Sequence, residues 1–495
     1  MKIKYLSKIS LLLLFSITVA TGCTSSFEEV NTDPDSPSTV APTNELSNVI
    51  YQSSLDFFDN WFDLNESCTF SGQICKLQYI DESRYAFRAN VNNNEWYYLY
   101  RTQNTVIDLI KNAQAEGNTN LSNVGKIWKA QLAQITTDRW RDVPYTEICK
   151  ADSGIFSPKY DTQETIYPAL LSLLKEAADS LASSSATGSL GTGDILYNGD
   201  LTKWKKYCNS LRLRIAMRIS GIDPTLAKST VEEILKNPAT YPIITSNDDN
   251  AFYKWAGMSE PWAAYYKTRH DEYGVSDVMI NTLSSLKDPR LPVYALPTAA
   301  DTLATTYRGY IIGDTAEAVV SEYSHIGTRF MAHDGLTGFT PYFRACETYF
   351  TISEANMLGW NTGSYGTQEE AYDKAVTLSL TENSISDADI ATYLAGKGKY
   401  NGTSNQLYLQ EWISLFKQGM EAWSLYRRTG VPTSNYIAIG STYALAKTHK
   451  TPPLRYPYPQ TELNLNTVNV KSYDADVVDN YWGKPMWWDL RNADK

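Results

Sequence analysis

The chain has 495 residues, of which 43% are hydrophobic and 20% charged, a composition typical of a globular protein with a large buried core. Its formal net charge is −11, from 44 basic and 55 acidic side chains, which argues against a nucleic-acid partner and against docking on anionic lipid. Aromatic residues are dominated by 35 Tyr and 13 Trp, against 14 Phe. Because Tyr and Trp combine an apolar face with a polar edge, they suit stacking on a hydrated, ring-shaped ligand.

The first 22 residues have the features of a secretory signal. Three lysines, Lys2, Lys4 and Lys8, precede an apolar run over 9–20, and small residues stand directly before Cys23. The sequence Ala20-Thr21-Gly22-Cys23 resembles a bacterial lipobox, although Ala20 replaces the usual Leu. We therefore expect a lipoprotein signal peptide over 1–22 and a lipid anchor on Cys23. The alternative is an ordinary signal peptide, in which Cys23 is only a small residue near the cleavage site.

The anchor determines how the rest of the chain meets the membrane. Several acyl chains hold a protein on a bilayer where a single chain holds it only marginally. Nothing later in the sequence approaches the ~20 consecutive apolar residues that a spanning helix needs. We expect a polar, lipid-anchored tether over 23–43, rich in Ser, Thr, Asp and Pro, followed by one large domain over 44–495.

From about Asn44 the apolar pattern is helical. Apolar residues recur every three or four positions over 124–135, 166–181, 204–219 and 409–423. Asp161 is the predicted N-cap of the second helix, with Glu164 completing a capping box. Asp223-Pro224 predicts another helix start. The last of the four helices is expected to run on to two arginines and to end at Gly430.

These short amphipathic helices predict a mostly α fold, in which helix pairs form an irregular solenoid. No fixed 34-residue period is present, so the sequence itself supports only irregular helical repeats. Strand-like sequence is limited to short stretches such as 291–295 and 307–313. The Ser- and Gly-rich loop 183–200 is expected to be flexible.

Cysteine and histidine usage indicates no metal site and no cofactor. Five cysteines remain after Cys23, without CxxC spacing, and the four histidines are scattered without an HExxH pattern. Cys68 and Cys75 can pair as a disulfide in an exported protein, whereas free buried thiols are expected for the other cysteines. The run Asn-Asp-Asp-Asn at 247–250 offers oxygen ligands for calcium, but the full EF-hand pattern is absent.

Short signature stretches are spread over nearly the whole mature chain. They lie at 30–38, 137–145, 158–161, 197–200, 204–218, 276–291, 347–359, 421–430 and 455–459, followed by Glu462 and Asn466. In this order they resemble the SusD/RagB family of nutrient-binding outer-membrane lipoproteins, and its SusD-like branch more closely. One position departs from the family, because Arg141 stands where Gly is usual. A turn that is normally helped by Gly must here accept a bulky side chain.

The resemblance implies a scaffold of tetratricopeptide-like helix pairs, with irregular loops and extra helices forming the ligand site. It implies a partner, a SusC-like TonB-dependent β-barrel transporter, over which the lipoprotein closes as a hinged lid. The sequence Ser25-Ser26-Phe27-Glu28-Glu29 has the small-then-acidic character of the surface-export signal of Bacteroidetes lipoproteins, so the protein is expected to face the cell exterior. A solvated linker is the alternative interpretation of that segment.

The charged signature residues are expected to serve the fold. Glu347, Glu354, Trp423, Arg427 and Arg428 lie on predicted helices whose spacing faces them inward. Buried charges are normally paired, so we expect buried ion pairs and core packing from these residues, with ligand contact as the alternative.

Two loops carry the predicted ligand site. Their aromatic residues lie among Asn, Asp, Gly and Ser, without helical spacing, which indicates exposure. The candidate ligand-binding residues are Trp61, Tyr79, Tyr85, Tyr253, Trp255, Trp262, Tyr265 and His270. For each of them the alternative is a loop aromatic that anchors the loop on the helices beneath it.

These features predict a non-catalytic, surface-exposed outer-membrane lipoprotein that binds oligosaccharide and delivers it to a SusC-like transporter. A peptide-binding member of the same family is the first alternative. A surface glycoside hydrolase with paired carboxylates and a helical-repeat adaptor are further alternatives. The sequence contains no Gly-x-Ser-x-Gly elbow, zinc-protease motif or Walker loop that favours an enzyme.

Overall fold

The structure is a computed structural model that describes residues 40–255, 260–331, 338–434, 449, 451–477 and 480–489. The expected signal peptide, Cys23 and most of the expected tether lie outside the described residues. From Pro42 onward the chain forms one compact unit. None of the helices among the described residues combines the length and the apolar character needed to cross a bilayer.

The described residues are mostly helical. The helices of the first half are α1 (Pro42–Asp56), α2 (Cys68–Phe70), α3 (Ala89–Ala115), α4 (Thr119–Trp140), α5 (Gln163–Ser180), α6 (Leu201–Arg218) and α7 (Pro224–Lys236). Those of the second half are α8 (Pro261–Arg269), α9 (Asp277–Leu286), α10 (Leu291–Tyr294), α11 (Ala345–Met357), α12 (Gln368–Glu382), α13 (Asp387–Ala395), α14 (Ser404–Ser414), α15 (Gly419–Thr429), α16 (Gln460–Leu465) and α17 (Thr467–Asp474). A π-helical segment, Asn60–Ser67, follows α1.

Two small antiparallel sheets join distant parts of the chain. Strand β1 (Ile74–Lys76) pairs with β3 (Tyr273–Val275), and β2 (Ala251–Lys254) pairs with β4 (Phe339–Phe343). The first sheet brings the segment after the π-helical segment next to the segment after α8. The two loops that carry the predicted ligand site are therefore neighbours in space.

The scaffold consists of helices that pack against the next helix along the chain. Helix α3 packs on α4, α4 on α5, α5 on α6, α6 on α7, and α11 on α12. Their buried faces form one large hydrophobic core. A second core lies under the irregular half, where residues of the π-helical segment, α8, α9 and α14 meet. The mostly α, helix-pair architecture predicted from the sequence is confirmed.

Local capping explains where two of the predicted helices begin. The Asp223 side chain accepts from the Leu226 N–H at 3.0 Å, with Pro224 in the first turn, as the sequence predicts. The predicted cap at Asp161 is wrong, because α5 begins one residue later and is capped by Thr162. The Asp161 carboxylate instead accepts from the backbone of Tyr145 and Thr146.

The helix expected from Leu409 to Gly430 is interrupted. It ends at Ser414, and α15 starts at Gly419. Between them Lys417 has a φ of 66°, and its Nζ contacts the Glu260 carboxylate at 2.8 Å and the Phe330 carbonyl at 3.2 Å. These distant partners outweigh the local helical periodicity. The predicted end at Gly430 is confirmed, with a φ of 74° at that residue.

Two expectations for the irregular regions need correction. The strand-like stretch 291–295 forms the short helix α10, which Pro292 can start because it needs no N–H there. The stretch 307–313 makes only an isolated bridge, between Tyr310 and Ser276. At the end of the loop 183–200, the Asp194 carboxylate accepts from the Trp204 indole at 2.7 Å and from the Gly199 N–H at 2.7 Å, whereas residues 187–189 are exposed.

Candidate functional site

A cleft of about 300 Å³ lies in the loop region. It lies between the end of α1, the start of the π-helical segment and the first turns of α3. Its walls combine aromatic, amide and ionisable side chains, namely Asp56, Asp59, Trp61, Arg88, Asn90, Val91, Asn94, Glu95 and Tyr98. A pocket of this size with a few convergent polar groups is the usual form of a small-ligand site. The predicted ligand residue Trp61 lies in this cleft.

Trp61 is positioned by the turn that starts the π-helical segment. The Asp59 carboxylate accepts from the N–H of Trp61 at 2.9 Å and from the N–H of Phe62 at 2.6 Å. Phe62 is buried in the core, whereas Trp61 is half-buried. π-helical turns are rare and are often found at functional sites. The capped turn therefore fixes the indole at the wall of the cleft.

Helix α3 supplies the opposite wall. Asn90, Asn94 and Tyr98 follow at intervals of four residues, so they share one face of the helix. Both asparagines are exposed. The Tyr98 ring centroid lies 5.0 Å from the guanidinium carbon of Arg101, a cation–π contact that orients the ring. Because an amide both donates and accepts hydrogen bonds, this wall suits a ligand rich in hydroxyl groups.

Two carboxyl groups at the cleft resist ionisation. Burial raises the pKa of Asp56 to about 6, against the opposing effect of Arg101, whose Nη2 lies 2.7 Å from Oδ2. Burial also raises the pKa of Asp59 to about 7, although the two backbone hydrogen bonds oppose this shift. At neutral pH these two carboxyl groups are therefore not fully ionised, and the cleft carries less negative charge than their number suggests.

A third carboxyl group, that of Glu95, lies at the base of the cleft. Glu95 and Glu66 both contact the Arg139 guanidinium. Burial raises the pKa of both carboxyl groups, because one guanidinium serves two acids in a dry environment. The Oε1 atom of Glu95 is buried and has no hydrogen-bond partner among the described residues.

A second group of predicted ligand residues surrounds the buried ion pair of Lys76 and Glu272. The Lys76 Nζ lies 3.3 Å from Glu272 Oε2 and 5.9 Å from the centroid of the Tyr79 ring. The Tyr265 hydroxyl donates to the same Glu272 oxygen at 2.8 Å. Tyr79 is 63% exposed, and Tyr265 is half-buried. His270 is exposed next to this group, with its Nε2 3.0 Å from Asp271 Oδ1.

The predicted residues near strand β2 form a separate aromatic cluster. The Trp255 ring lies 5.0 Å from the Tyr253 ring and 5.6 Å from the Tyr51 ring. Tyr253 is half-buried, and Tyr51 is 37% exposed. The Trp255 indole donates to the Thr340 hydroxyl at 2.9 Å, which fixes this ring on β4.

Exposure was expected for all the predicted aromatics, and the structure corrects this for three of them. Trp262 is completely buried in the second core, where Lys417 Nζ lies 5.1 Å from its ring centroid. Tyr85 is 4% exposed and packs between Phe70 and Trp482. Trp255 is also 4% exposed. These three residues anchor loops on the core, so none offers an open ring to a ligand.

Comparison with known proteins identifies the family. A family model described as "Starch-binding associating with outer membrane", SusD-like_2, matches residues 34–459. The chain belongs to the SusD-like family. No curated protein matches the sequence.

Solved structures of SusD homologues share this fold. A chitin-binding protein is 25% identical with a TM-score of 0.77, covering 91% of this chain and all of its own. A SusD homologue from Bacteroides uniformis is 22% identical with a TM-score of 0.78, covering 92% of this chain and all of its own. A chitin-binding SusD homologue from Flavobacterium johnsoniae is 20% identical with a TM-score of 0.77, covering 91% of this chain and 100% of its own.

The SusD-like signature residues are engaged by neighbouring side chains and carbonyls, and all but the half-buried Arg428 are buried. Arg428 contacts both oxygens of Glu354, at 2.5 and 2.7 Å. The Arg427 guanidinium carbon lies 3.5 Å from the centroid of the Trp423 ring, and its Nη1 donates to the carbonyls of Asp138 and Leu454. The Arg214 guanidinium pairs with Glu347 at 2.6 Å. These contacts tie helices of the two halves together, so this part of the family signature specifies the scaffold.

The position where this chain departs from the SusD-like pattern has an unusual backbone. Arg141 follows α4 with φ 74° and ψ −103°, a conformation that favours Gly. Its Nε donates to the Pro485 carbonyl at 2.9 Å, and its guanidinium pairs with Asp142. These contacts offset part of the strain that the side chain introduces.

Sequence reasoning missed most of the cleft. Asn90, Asn94 and Tyr98 were available as polar and aromatic residues one helical turn apart, a spacing that indicates a shared face. Arg88 and Asp59 carried no such signal, because their place in the cleft depends on how the π-helical segment meets α3.

The structure contradicts a disulfide between Cys68 and Cys75. Both are buried free thiols, and Cys68 Sγ contacts Asp63 Oδ1 at 3.4 Å. At the run 247–250, the Asp249 carboxylate pairs with Lys206 at 2.7 Å, so this oxygen donor already has a cationic partner. Among the described residues, no group of three or more acidic, His or Cys side chains is placed to hold a metal ion.

Proposed function

We propose that this protein is a surface-exposed outer-membrane lipoprotein that binds an oligosaccharide and delivers it to a SusC-like TonB-dependent transporter. Membership of a family described as starch-binding and associated with the outer membrane supports this proposal. The chitin-binding relative with the same fold supports a glycan as the ligand class. Lipidation of Cys23 and an outward orientation rest on the N-terminal sequence.

The observation that carries the proposal is the composition of the cleft. An indole at one wall faces a helix that presents exposed amides, in a volume of about 300 Å³. Sugar rings have apolar faces that stack on indole and hydroxyl edges that exchange hydrogen bonds with amides. A chain of ion pairs connects the cleft to the group around Tyr79 and Tyr265. Arg88 of the cleft pairs with Glu82 at 2.8 Å, and Glu82 pairs with Lys76 of that group at 3.2 Å. We propose that the exposed Tyr79 and the half-buried Tyr265 extend the binding surface for a longer chain.

The test is glycan binding with a pair of tryptophan variants. We expect Trp61→Ala to weaken retention of starch or chitin oligosaccharides by about 1–3 kcal/mol, the usual contribution of one aromatic stack, with little change in melting temperature. Trp262→Ala is expected to destabilise the fold by about 3–5 kcal/mol, because it empties a buried site. Calorimetric titration and thermal unfolding separate the two effects.

Phe156→Ala is the matched control, since Phe156 is 80% exposed and lies outside the cleft. It should change neither affinity nor stability. Unchanged glycan affinity of the folded Trp61→Ala variant would place the binding site elsewhere. A panel of oligopeptides in the same titration tests the peptide-binding alternative.

A glycoside hydrolase is a second candidate function, and one observation favours it. Asp59 and Glu95 are two carboxyl groups in one cleft, and burial raises the pKa of both. A glycosidase needs one such protonated acid together with a partner carboxylate that stays ionised. Both groups are, however, engaged by structural contacts, Asp59 by two backbone N–H groups and Glu95 by Arg139. Chromatography of glycans incubated with the protein decides between the functions, since shortened products would indicate hydrolysis.

A further inference from the structure

The cleft contains more acidic than basic groups. Of its ionisable side chains Asp56, Asp59 and Glu95 are acidic, and Arg88 is basic. Arg101, which does not line the cleft, pairs with Asp56 and offsets its charge. Asp59 accepts only from backbone N–H groups, and none of the described residues forms an ion pair with it. A ligand that enters beside Trp61 therefore meets at least one uncompensated acid.

The base of the cleft has a similar excess of acid. Arg139 carries one positive charge and contacts two carboxyl groups, those of Glu66 and Glu95. Glu95 is 4% exposed, and its Oε1 lacks a hydrogen-bond partner among the described residues. A buried carboxyl oxygen without a donor is costly, so a donor supplied by a ligand would be favourable there.

The basic residue that lines the cleft is already engaged by acids. Arg88 Nη2 contacts Glu82 Oε1 at 2.8 Å and Asp81 Oδ2 at 3.2 Å, and its Nε donates to Glu82 at 3.0 Å. A carboxylate or sulfate on the ligand would have to compete with these two acids. It would also be repelled by Asp59.

We propose that the cleft prefers a sugar that carries a protonated primary amine, such as an unacetylated hexosamine, and rejects a uronic acid. This inference rests on the proposed function, because it assigns the ligand class of the same glycan site. The ammonium group supplies a donor to the Oε1 atom of Glu95 and a positive charge that favours the ionised form of Asp59, while the ring stacks on Trp61. An N-acetylated sugar keeps the stacking but brings no charge.

Three oligosaccharides of equal length test the proposal by calorimetric titration of the full mature protein, namely hexamers of glucosamine, N-acetylglucosamine and galacturonic acid. At about pH 7 an amine with the acidity of an α-amino group, whose pKa is about 7.7–8.0, is mostly protonated. At this pH Asp59, whose pKa is raised to about 7, is about half ionised before the ligand binds. We expect the glucosamine hexamer to bind about five-fold or more tightly than the N-acetylated hexamer, and the galacturonic acid hexamer to bind most weakly.

Substitution at the cleft distinguishes specific recognition from attraction to an acidic protein. Asp59→Asn removes the charge but keeps an oxygen that can cap the turn, so the fold is retained. This variant should bind the glucosamine hexamer and the N-acetylglucosamine hexamer with nearly equal affinity. Glu164→Gln, at an exposed acid in the first turn of α5, should leave both affinities unchanged.

Equal affinities for the two hexosamine oligomers in the wild-type protein would overturn this inference, as would an unchanged ratio in Asp59→Asn or no binding of the glucosamine hexamer. The proposed function fails on a different result, the absence of binding to every member of a broad neutral glycan panel. Binding of neutral glycans without preference for the amine thus overturns the inference alone.

Discussion

At the scale of single residues, Arg141 shows how a departure from the family pattern is accommodated. Its φ of 74° and ψ of −103° are conformations that a side chain with Cβ adopts at a cost of about 1–3 kcal/mol. The contacts with Asp142 and Pro485 exist only because the side chain is long. The strain and the contacts can be separated by substitution.

We expect Arg141→Gly to be more stable than Arg141→Ala by about 1 kcal/mol. Both variants lose the contacts of the guanidinium, but only the alanine retains the strained backbone. Urea unfolding of the two variants measures the difference directly. Equal free energies of unfolding, or a more stable alanine variant, would show that the turn carries no strain.

The tryptophans show which part of the site could be predicted at this scale. Trp61 and Trp262 look alike in the sequence, since each lies in a polar stretch without helical spacing. Their different burial follows from distant partners, because β1 and β3 pair and enclose Trp262 in the second core. Composition pointed to the loops that carry the candidate site, but the depth of each ring depends on contacts that a single sequence does not show.

At the scale of elements, a small buried space between helices contains a poorly satisfied acid. A cavity of about 30 Å³ lies between α6, α11, α14 and α15, large enough for water. Glu411 of α14 lines it, and its buried Oε2 lacks a hydrogen-bond partner among the described residues. Burial raises the pKa of Glu411 to about 8, against the effect of Arg428, with Glu354 and Glu347 adding to the rise.

This shift makes stability depend on pH in a defined direction. Folding favours the protonated acid, so its contribution is fully present below the unfolded-state pKa of 4.5 and is lost as pH rises through about 8. We expect Glu411→Gln to flatten this fall and to be more stable than wild type by about 1–2 kcal/mol above pH 8. Urea unfolding at about pH 5 and about pH 9 measures it.

Glu369→Gln is the control, because Glu369 is an exposed acid in the first turn of α12. Its stability should follow wild type at both pH values. A Glu411→Gln variant that loses as much stability as wild type between the two pH values would show that Glu411 is ionised in the folded protein.

Helices were predicted well wherever local chemistry alone decides them. Asp223-Pro224 starts α7 as predicted, because a cap and a proline act within one turn. The break between α14 and α15 could not be predicted, since it depends on Lys417 reaching Glu260, 157 residues away. The shift of the α5 cap from Asp161 to Thr162 has the same origin, a carboxylate occupied by another segment.

At the scale of the whole molecule, the signature contacts and the candidate ligand cleft are built from different residues. The paired arginines and glutamates hold the helices, and all but the half-buried Arg428 are buried. The cleft is built from residues outside the signature stretches, on the π-helical segment and α3. A family can therefore keep one scaffold while the ligand changes, which explains why the sequence predicts the family more sharply than the ligand.

The same separation predicts that membrane attachment can be removed without loss of binding. The residues from Pro42 onward form a compact unit of their own, so we expect this unit to fold without acyl chains on Cys23. We expect Cys23→Ser to move the protein from the membrane fraction to the soluble fraction, with unchanged melting temperature and glycan affinity. Cell fractionation and incorporation of labelled palmitate measure attachment.

Cys149→Ser, at a half-buried free thiol of the folded domain, should remain in the membrane fraction. Retention of Cys23→Ser in the membrane fraction would mean that protein contacts, rather than acyl chains, hold the protein at the membrane.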